Sequence, residues 1–267
     1  MPLPVSVQII TLNEAENIGP CLQAVLANDP EEVVVIDGGS TDDTVAIAQS
    51  LGVTVLTPGR LGRGASRRIG YLETTIPYVA FVDADDRLDP TWLSATLEEL
   101  RAGGYAALQS SLRVITPRTF WEKGWDQYFV ETVRPTADTN MVGHPALYVT
   151  TDLQACPDEI GHEHEDTQMS VDFERRGLRQ GIGHAIARRH CPSTAAENFA
   201  KWRAYGRGYR EFVRTHPDRA AAIRRHIFVT IPLVRGWRPV LRGHVLQPVW
   251  AGCMASNIIW GWFSARN

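Results

Sequence analysis

Across the first hundred residues, short β-branched runs alternate with stretches whose apolar positions recur at helical spacing, and most runs end in polar or glycine residues. Val5 to Ile10 predicts a strand and Glu14 to Ala27 a helix. Val33 to Ile36 is an unbroken apolar run, as a strand covered on both faces requires. Ser40-Thr41-Asp42-Asp43 supplies caps for a helix ending at Gly52. Val53 to Leu56 predicts a third strand, Gly64 to Thr75 a helix, and Tyr78 to Val82 a fourth strand. Asp89-Pro90 opens another helix, with Asp as N-cap and Pro at the first helical position. Strands and helices joined by short loops in this way predict right-handed crossovers and a parallel sheet, with ligands at the carboxyl ends of its strands.

Beyond Gly104 the pattern loosens. Tyr105 to Ile115 predicts a strand, Thr119 to Val133 an aromatic-rich helix, and Ala146 to Thr151 a strand. Glu165 to Gly177 reads as a helix closed by its glycine, and Gly181 to Arg188 as a further strand. Ala195 to His216 and Asp218 to Thr230 predict two more helices. There is no internal repeat or low-complexity linker, and the softest boundary lies at His216-Pro217.

Composition narrows the class. A chain of 267 residues fits one large domain or one domain with an appendage. Its 44% hydrophobic and 21% charged residues exclude disorder and fibrous repeats. The four cysteines (Cys21, Cys156, Cys191, Cys253) are scattered without a CxxC pair, against a structural zinc site or a disulfide framework. Met1-Pro2-Leu3-Pro4 leads into a strand and not into a signal-peptide pattern, so a cytoplasmic location is expected. A net charge of −3 argues against general attraction to nucleic acid. That figure hides an asymmetry: Glu197 to Asn267 carries twelve Lys+Arg against three Asp+Glu, and five of the eight tryptophans. An acidic body with a basic, Trp-rich tail predicts that the tail faces an anionic surface.

The strongest candidate chemistry is Phe81-Val82-Asp83-Ala84-Asp85-Asp86, at the end of the fourth strand. In an extended chain Asp83 and Asp85 project the same way, and like charges so close call for a cation between them. Hard carboxylate oxygens suit Mg2+ or Mn2+, which would bring a diphosphate with it. The plainer alternative is an acidic turn in which Asp86 and Asp89 start the next helix. Ile36-Asp37-Gly38-Gly39-Ser40-Thr41-Asp42 is another strand end running into a helix. Its glycines admit a ligand close to the backbone, the helix N-terminus favours anions, and Asp37 offers acceptors to a base or ribose. An ordinary βα turn with a good cap would look the same. Thr11-Leu12-Asn13-Glu14 falls at the same predicted edge. So does Gly59-Arg60-Leu61-Gly62-Arg63-Gly64, with Arg67 and Arg68 one turn later, and arginine beside a diphosphate is physically sensible.

In order and spacing, VSVQIITLNEAENI, VVVIDGGSTDDT, GRGASRRIG and AFVDADD resemble the family 2 glycosyltransferases of the GT-A fold, over roughly the first hundred residues. The resemblance implies an α/β, Rossmann-like, mostly parallel sheet flanked by helices, with a C-terminal helical extension. Residues 1–216 would form the transferase domain, with 1–104 its nucleotide-sugar-binding half and 105–216 its acceptor-binding half. Residues 217–267 would form the basic, Trp-rich helical tail. It further implies a nucleotide-diphosphate-sugar donor held by Thr11, Asn13, Glu14, Asp37, Gly39, Arg63, Arg67, Asp83 and Ala84. Mn2+ or Mg2+ would sit on Asp85, and on Asp83 where that residue does not take the ribose. Asp86 leaves the register of the metal ligand open.

Gly161 to Asp166 combines histidines and carboxylates, but His-x-His without a distant partner pattern is also what a solvated loop before a helix looks like. By resemblance, Glu165-Asp166 is similar to the acidic pair whose Asp is the catalytic base. An acceptor hydroxyl attacking an anomeric carbon needs such a carboxylate, and Asp166 is favoured over Glu165. His190 is similar to a position that sometimes supplies a third metal ligand, with a plain surface histidine as the alternative. The whole predicts an inverting, metal-assisted transfer of one sugar, hexosyl in type. Trp202-Arg203-Ala204-Tyr205-Gly206-Arg207-Gly208 replaces the QxxRW motif of processive members, which predicts single addition. Arg203 and Arg207 would touch a diphosphate or simply line an amphipathic helix.

From Ala220 onward the chain holds six arginines and no acid. Gly243 to Ala265 is uncharged but too polar to span a membrane. Helices lying in an anionic membrane interface are expected, with Trp237, Trp250, Trp260 and Trp262 at headgroup depth, and a lipid-linked sugar acceptor would explain them. Helices packed on the domain or across an oligomer contact are the alternative. Two other classes compete. A sugar nucleotidyltransferase would carry a Gly-rich N-terminal phosphate loop where this chain has Thr11-Leu12-Asn13-Glu14. A non-catalytic membrane-associated scaffold would have no reason to align Asp37, Asp83, Asp85 and Asp166.

Overall fold

The computed structural model describes residues 1–157, 164–235, 240 and 244–264. Two compact units divide the chain: Met1–Arg113 with Val133–His190, and Val114–Thr132 with Cys191–Asn267. This division differs from one at His216-Pro217, because the long helix before that point packs with the C-terminal helix.

The first unit is built on a sheet. Its elements in order are β1 Leu3–Thr11, α1 Ala15–Leu26, β2 Pro30–Asp37, α2 Thr44–Ser50, β3 Thr54–Leu56, α3 Arg63–Leu72, β4 Tyr78–Asp83, β5 Asp86–Leu88 and α4 Trp92–Gly103. They continue with β6 Ala107–Val114 and, after an excursion into the second unit, β7 Ala146–Val149, α6 Thr150–Gln154, α7 Glu165–Arg175 and β8 Gln180–Arg189; the excursion carries α5 Phe120–Thr132. The strand order is β3-β2-β1-β4-β7-β6-β8-β5. β3, β2, β1 and β4 run parallel, as the alternating pattern predicts, while β4 with β7, β6 with β7 and β5 with β8 are antiparallel. Val5, Val7 and Ile9 of β1 are buried, and so are Ser6 and Gln8 on its other face; Val33 to Ile36 and Val79 to Val82 are likewise covered. Burial on both faces is what the unbroken apolar runs require. Tyr71, Phe81, Tyr148 and Phe173 meet in the core beneath the carboxyl end of β4, with Phe81 and Tyr148 ring centroids 5.2 Å apart.

Several boundaries move. The helix expected from Asp89 begins at Trp92, because its amide ends are capped from elsewhere: the Asn28 side chain accepts the Leu93 N–H at 2.8 Å. Asp89 is thereby released to pair with Arg188. Two short elements were not anticipated, β5 and α6. The helix expected over Asp218 to Thr230 is broken into a 3-10 turn, Pro217–Arg219, then α9 Ala220–Arg225, then a wider π-helical segment, His226–Arg235.

The second unit is helical: α5, then α8 Ala195–Thr215, α9 and α10 Gln247–Ser264. A capping box fixes the start of α8, with Thr194 and Glu197 each accepting from the other's backbone N–H. α8 and α10 touch backbone to backbone at two glycines. A Cβ on Gly206 would lie 2.0 Å from the Ile258 carbonyl oxygen, and one on Gly261 would lie 2.1 Å from that of Arg203. Around this crossing Trp125, Trp202 and Trp250 form a cluster, with centroids 5.3 Å apart for Trp125–Trp250 and for Trp202–Trp250. Trp202 and Trp250 are wholly buried in the unit's core, which for Trp250 overturns its expected place at headgroup depth. Trp260 and Phe263 are exposed, and Trp237 lies outside the described residues. Arg203 donates to Asn257 across the α8–α10 crossing at 3.0 Å. No helix among the described residues is long and apolar enough to cross a membrane.

Candidate active site

Strand register collects the site. Thr11 on β1 stands beside Asp37 on β2, and Ile10 beside Asp83 on β4, so three strand ends share one edge of the sheet. Beyond Asp83 the chain does not stay extended. Ala84 and Asp85 form a turn, and Asp86 begins β5. Carboxylate oxygens of Asp83, Asp85 and Asp86 all lie within 4.8 Å of one another. The expected convergence is present, but a turn produces it and not the alternation of a strand.

Two arginines neutralise this cluster. Arg67 of α3, 2% exposed, places Nη2 2.8 Å from Asp83 Oδ1 and Nε 3.1 Å from Glu165 Oε1. Arg189 sits opposite Asp86 in the β5–β8 ladder. It donates from Nε to Asp86 Oδ1 at 2.7 Å, and from Nη2 to Asp86 Oδ2 and Asp83 Oδ2 at 2.8 Å each and to the His144 carbonyl at 3.0 Å. Burial alone would push the Asp83 carboxyl up; the Arg189 and Arg67 guanidiniums prevail and hold it far below the usual carboxylate range. Wholly buried Asp86 is pushed up by desolvation to about 7, against the pull of Arg189. Burial also raises Glu165 and, with Arg67 beside it, keeps the His144 ring neutral by lowering its pKa well below the ordinary value.

The donor set discriminates among the three aspartates. Both oxygens of Asp83 and both of Asp86 are held by guanidinium groups. Among the described residues the Asp85 carboxylate meets only Arg189 Nε at 3.6 Å, beyond hydrogen-bonding distance. A hard divalent cation therefore fits Asp85, with Asp83 beside it already charge-balanced. His190 is adjacent through its backbone, its N–H donating to the Asp85 carbonyl at 2.9 Å. Its exposed ring is not part of the cluster, so the expected third ligand is not assembled here.

The other expected donor-binding residues line the same edge. Thr11 is buried, and its Oγ1 has no hydrogen-bond partner among the described residues. Asn13 adopts φ +54° so that its Oδ1 accepts the Thr41 N–H at 2.8 Å, pinning the β1–α1 loop to the β2–α2 loop. Glu14 is tied to the same loop by its N–H on Thr44 Oγ1. Asp37, expected to face a base or ribose, accepts from the N–H groups of Gly39 and Ser40 and from the Ser40 hydroxyl. Gly39 has φ +93°, a conformation glycine adopts without strain. Arg63 opens α3 and is exposed; Ala84 is buried in the turn between the aspartates.

Glu165 and Asp166 open α7 but differ in surroundings. Glu165 is buried against Arg67. Asp166 is partly exposed; its Oδ1 accepts from the N–H and Oγ1 of Thr167, and its Oδ2 accepts no hydrogen bond among the described residues. Of the wider Gly161–Asp166 cluster, residues 161–163 lie outside the described residues. Arg189, His144 and Gln109 were not anticipated. The signal for Arg189 was available, since three adjacent carboxylates need cations and Arg188-Arg189-His190 closes a predicted strand.

With this geometry in place, comparison with known proteins is informative. A family model described as glycosyl transferase family 2 matches residues 6–160. A glycosyltransferase of Mycobacterium tuberculosis is 36% identical over 99 residues, covering 37% of this chain and 44% of that protein. The lipopolysaccharide core biosynthesis glycosyltransferase LpsC of Rhizobium meliloti is 34% identical over 106 residues, 38% of each. The chain thus spans less than half the length of these relatives. Among solved structures, a mannosyltransferase of Pyrobaculum calidifontis in complex with GDP-Man and Mn2+ has a TM-score of 0.69 at 16% identity, covering 99% of this chain and 90% of that one. A glucosyl-3-phosphoglycerate synthase of Mycobacterium tuberculosis with Mn2+ and UDP has a TM-score of 0.52 at 22% identity, covering 70% and 72%.

Proposed function

Because the chain belongs to glycosyl transferase family 2, we propose that it moves one sugar from a nucleotide-diphosphate-sugar to a hydroxyl of a lipid-linked acceptor by a single inverting displacement. The observation that carries the reading is the division of labour among the acids. Asp83 and Asp86 are spent on arginines, while Asp85 and Asp166 Oδ2 keep their capacity. The acceptor oxygen attacks the anomeric carbon as the bond to the diphosphate breaks, and its proton passes to Asp166 Oδ2. Glu165, paired with Arg67, positions α3 against α7 and leaves the proton to its neighbour. Asp85, with Asp83 beside it, would hold Mn2+ or Mg2+, which supplies Lewis-acid stabilisation of the departing diphosphate. Arg67 Nη1, buried and without a partner among the described residues, adds donor capacity beside them. Asp37 orders the loop that would receive the nucleotide.

Asp85→Ala is expected to stay folded, because the residue lies in a turn at the sheet edge and not in the core. It should lose Mn2+-dependent binding of GDP or UDP. Calorimetry giving wild-type, metal-dependent affinity in this variant would overturn the metal assignment.

The lipid-linked acceptor rests on the second unit. Leu246 just before α10, and Val249, Trp260 and Phe263 along it, are exposed, on a segment whose flanks carry arginine and no acid. Such a face suits an anionic membrane surface, each nearby arginine contributing about 1 kcal/mol. Full-length protein should co-sediment with vesicles containing phosphatidylserine, less so with phosphatidylcholine alone, and less as salt rises. Truncation is an unsuitable control, since removing α10 would uncover Trp125 and Trp202. Trp260→Ser with Phe263→Ser alters only exposed side chains and should release the protein. Undiminished sedimentation of that double variant would remove the membrane reading.

A further inference from the structure

Gln109 lies on β6 opposite Ala146 of β7. Its Oε1 accepts the Gly143 N–H at 2.7 Å, which fixes the orientation of the amide and leaves Nε2 as a donor. Nε2 makes no hydrogen bond among the described residues. The opposite capacity, Asp166 Oδ2, borders the same space beside Gly143. A Cβ built on Gly143 would lie 3.4 Å from Gln109 Nε2 and 3.7 Å from Asp166 Oδ2. One donor and one acceptor therefore both border the space a side chain would fill, held open by its absence. Gly143 is partly exposed, and its carbonyl neighbour His144 accepts from Arg189, so the gap adjoins the aspartate cluster.

We propose that Gln109, Gly143 and Asp166 form the subsite for the acceptor's reacting hydroxyl. Its oxygen accepts from Gln109 Nε2 and its hydrogen points at Asp166 Oδ2. Gly143 is the specificity-determining position, because any side chain there takes the hydroxyl's place. The proposal rests on Asp166 as the base. A group that accepts one hydrogen bond and donates another is a hydroxyl, whereas a carboxylate or phosphate oxygen would be repelled by Asp166. The nucleophile is thereby oriented by a neutral donor, which costs it little basicity and selects one lone pair for attack.

The test uses the full chain. Gly143→Ala is suited to it, since the added methyl meets its neighbours at ordinary van der Waals distance and the backbone there is not left-handed. Melting temperature and Mn2+-dependent affinity for GDP and UDP should match wild type. Release of nucleoside diphosphate from GDP-mannose or UDP-glucose, with water or n-octyl glucoside as acceptor, should fall about 100-fold. Gln109→Glu keeps the acceptor for the Gly143 N–H but replaces the donor by a carboxylate. It should raise the acceptor KM with donor affinity unchanged, because the acceptor's hydroxyl loses its donor and meets a second acceptor in its place. A high-resolution crystal structure decides independently of turnover. Wild type should hold an ordered oxygen within about 3.0 Å of both Nε2 and Oδ2, and Gly143→Ala should not. Wild-type turnover by Gly143→Ala, or an empty gap in the wild-type crystal, overturns the subsite. Wild-type turnover by Asp166→Asn with the bridging oxygen still in place would instead overturn the base.

Discussion

Asp166→Asn lowers transfer by about two to four orders of magnitude while donor affinity and melting temperature stay at wild-type values. The asparagine preserves size and the acceptor for Thr167, so α7 keeps its first turn. Only the ability to take a proton disappears. Rates of nucleoside diphosphate release, measured beside calorimetric donor affinity, check this. Near wild-type turnover would reduce Asp166 to a residue that starts a helix, and Glu165 would inherit the role despite its pairing with Arg67.

Arg67→Met destabilises the first unit by about 3–5 kcal/mol, because it strips buried Glu165 of its guanidinium and Asp83 of one of its two. Urea unfolding at pH 7 measures the loss, and a change below about 1 kcal/mol would mean that Arg189 alone balances the cluster. The pH dependence supplies a second check. In wild type Asp83 is held below its unfolded value, so its contribution is present above about pH 4 and is lost only in stronger acid. In the methionine variant Glu165, already raised by burial, loses the guanidinium that pulled it down, while Asp83 keeps Arg189. The folded state then binds more protons, and stability recovers as pH falls from 7 towards 5. Wild type and variant should diverge at neutral pH and converge on acidification.

What the sequence disclosed follows the range of the forces involved. The four motifs of the first hundred residues were legible because strand periodicity, capping and strand-end chemistry act over a few positions. Their arrival at one edge follows from parallel register. The pairing that organises the cluster was not legible: Arg189 stands 106 residues from Asp83, and Glu165 stands 98 from Arg67. No local pattern specifies which cations will find which acids. Asp83 and Asp85 were correctly expected to converge, yet for a reason that did not hold, since the turn at Ala84 and the strand from Asp86 depend on β8. Trp250 was misassigned because composition does not separate a buried ring from an interfacial one. Trp250 and Trp260 are ten residues, about 2.8 turns, apart and so face different sides of α10, one buried and one exposed.

Neither unit is continuous in sequence, and this matters for a chain made from one end. When synthesis reaches His190 every residue of the first unit exists, together with α5, whose partners α8 and α10 do not. Trp250, whose ring lies 5.3 Å from that of Trp125, stands 60 residues beyond His190 and so arrives about 3–12 s later at about 5–20 residues per second. Until α10 emerges, the nascent protein carries a sticky, tryptophan-bearing segment short of that partner, a period in which chaperone capture and premature association compete with completion of the helical unit.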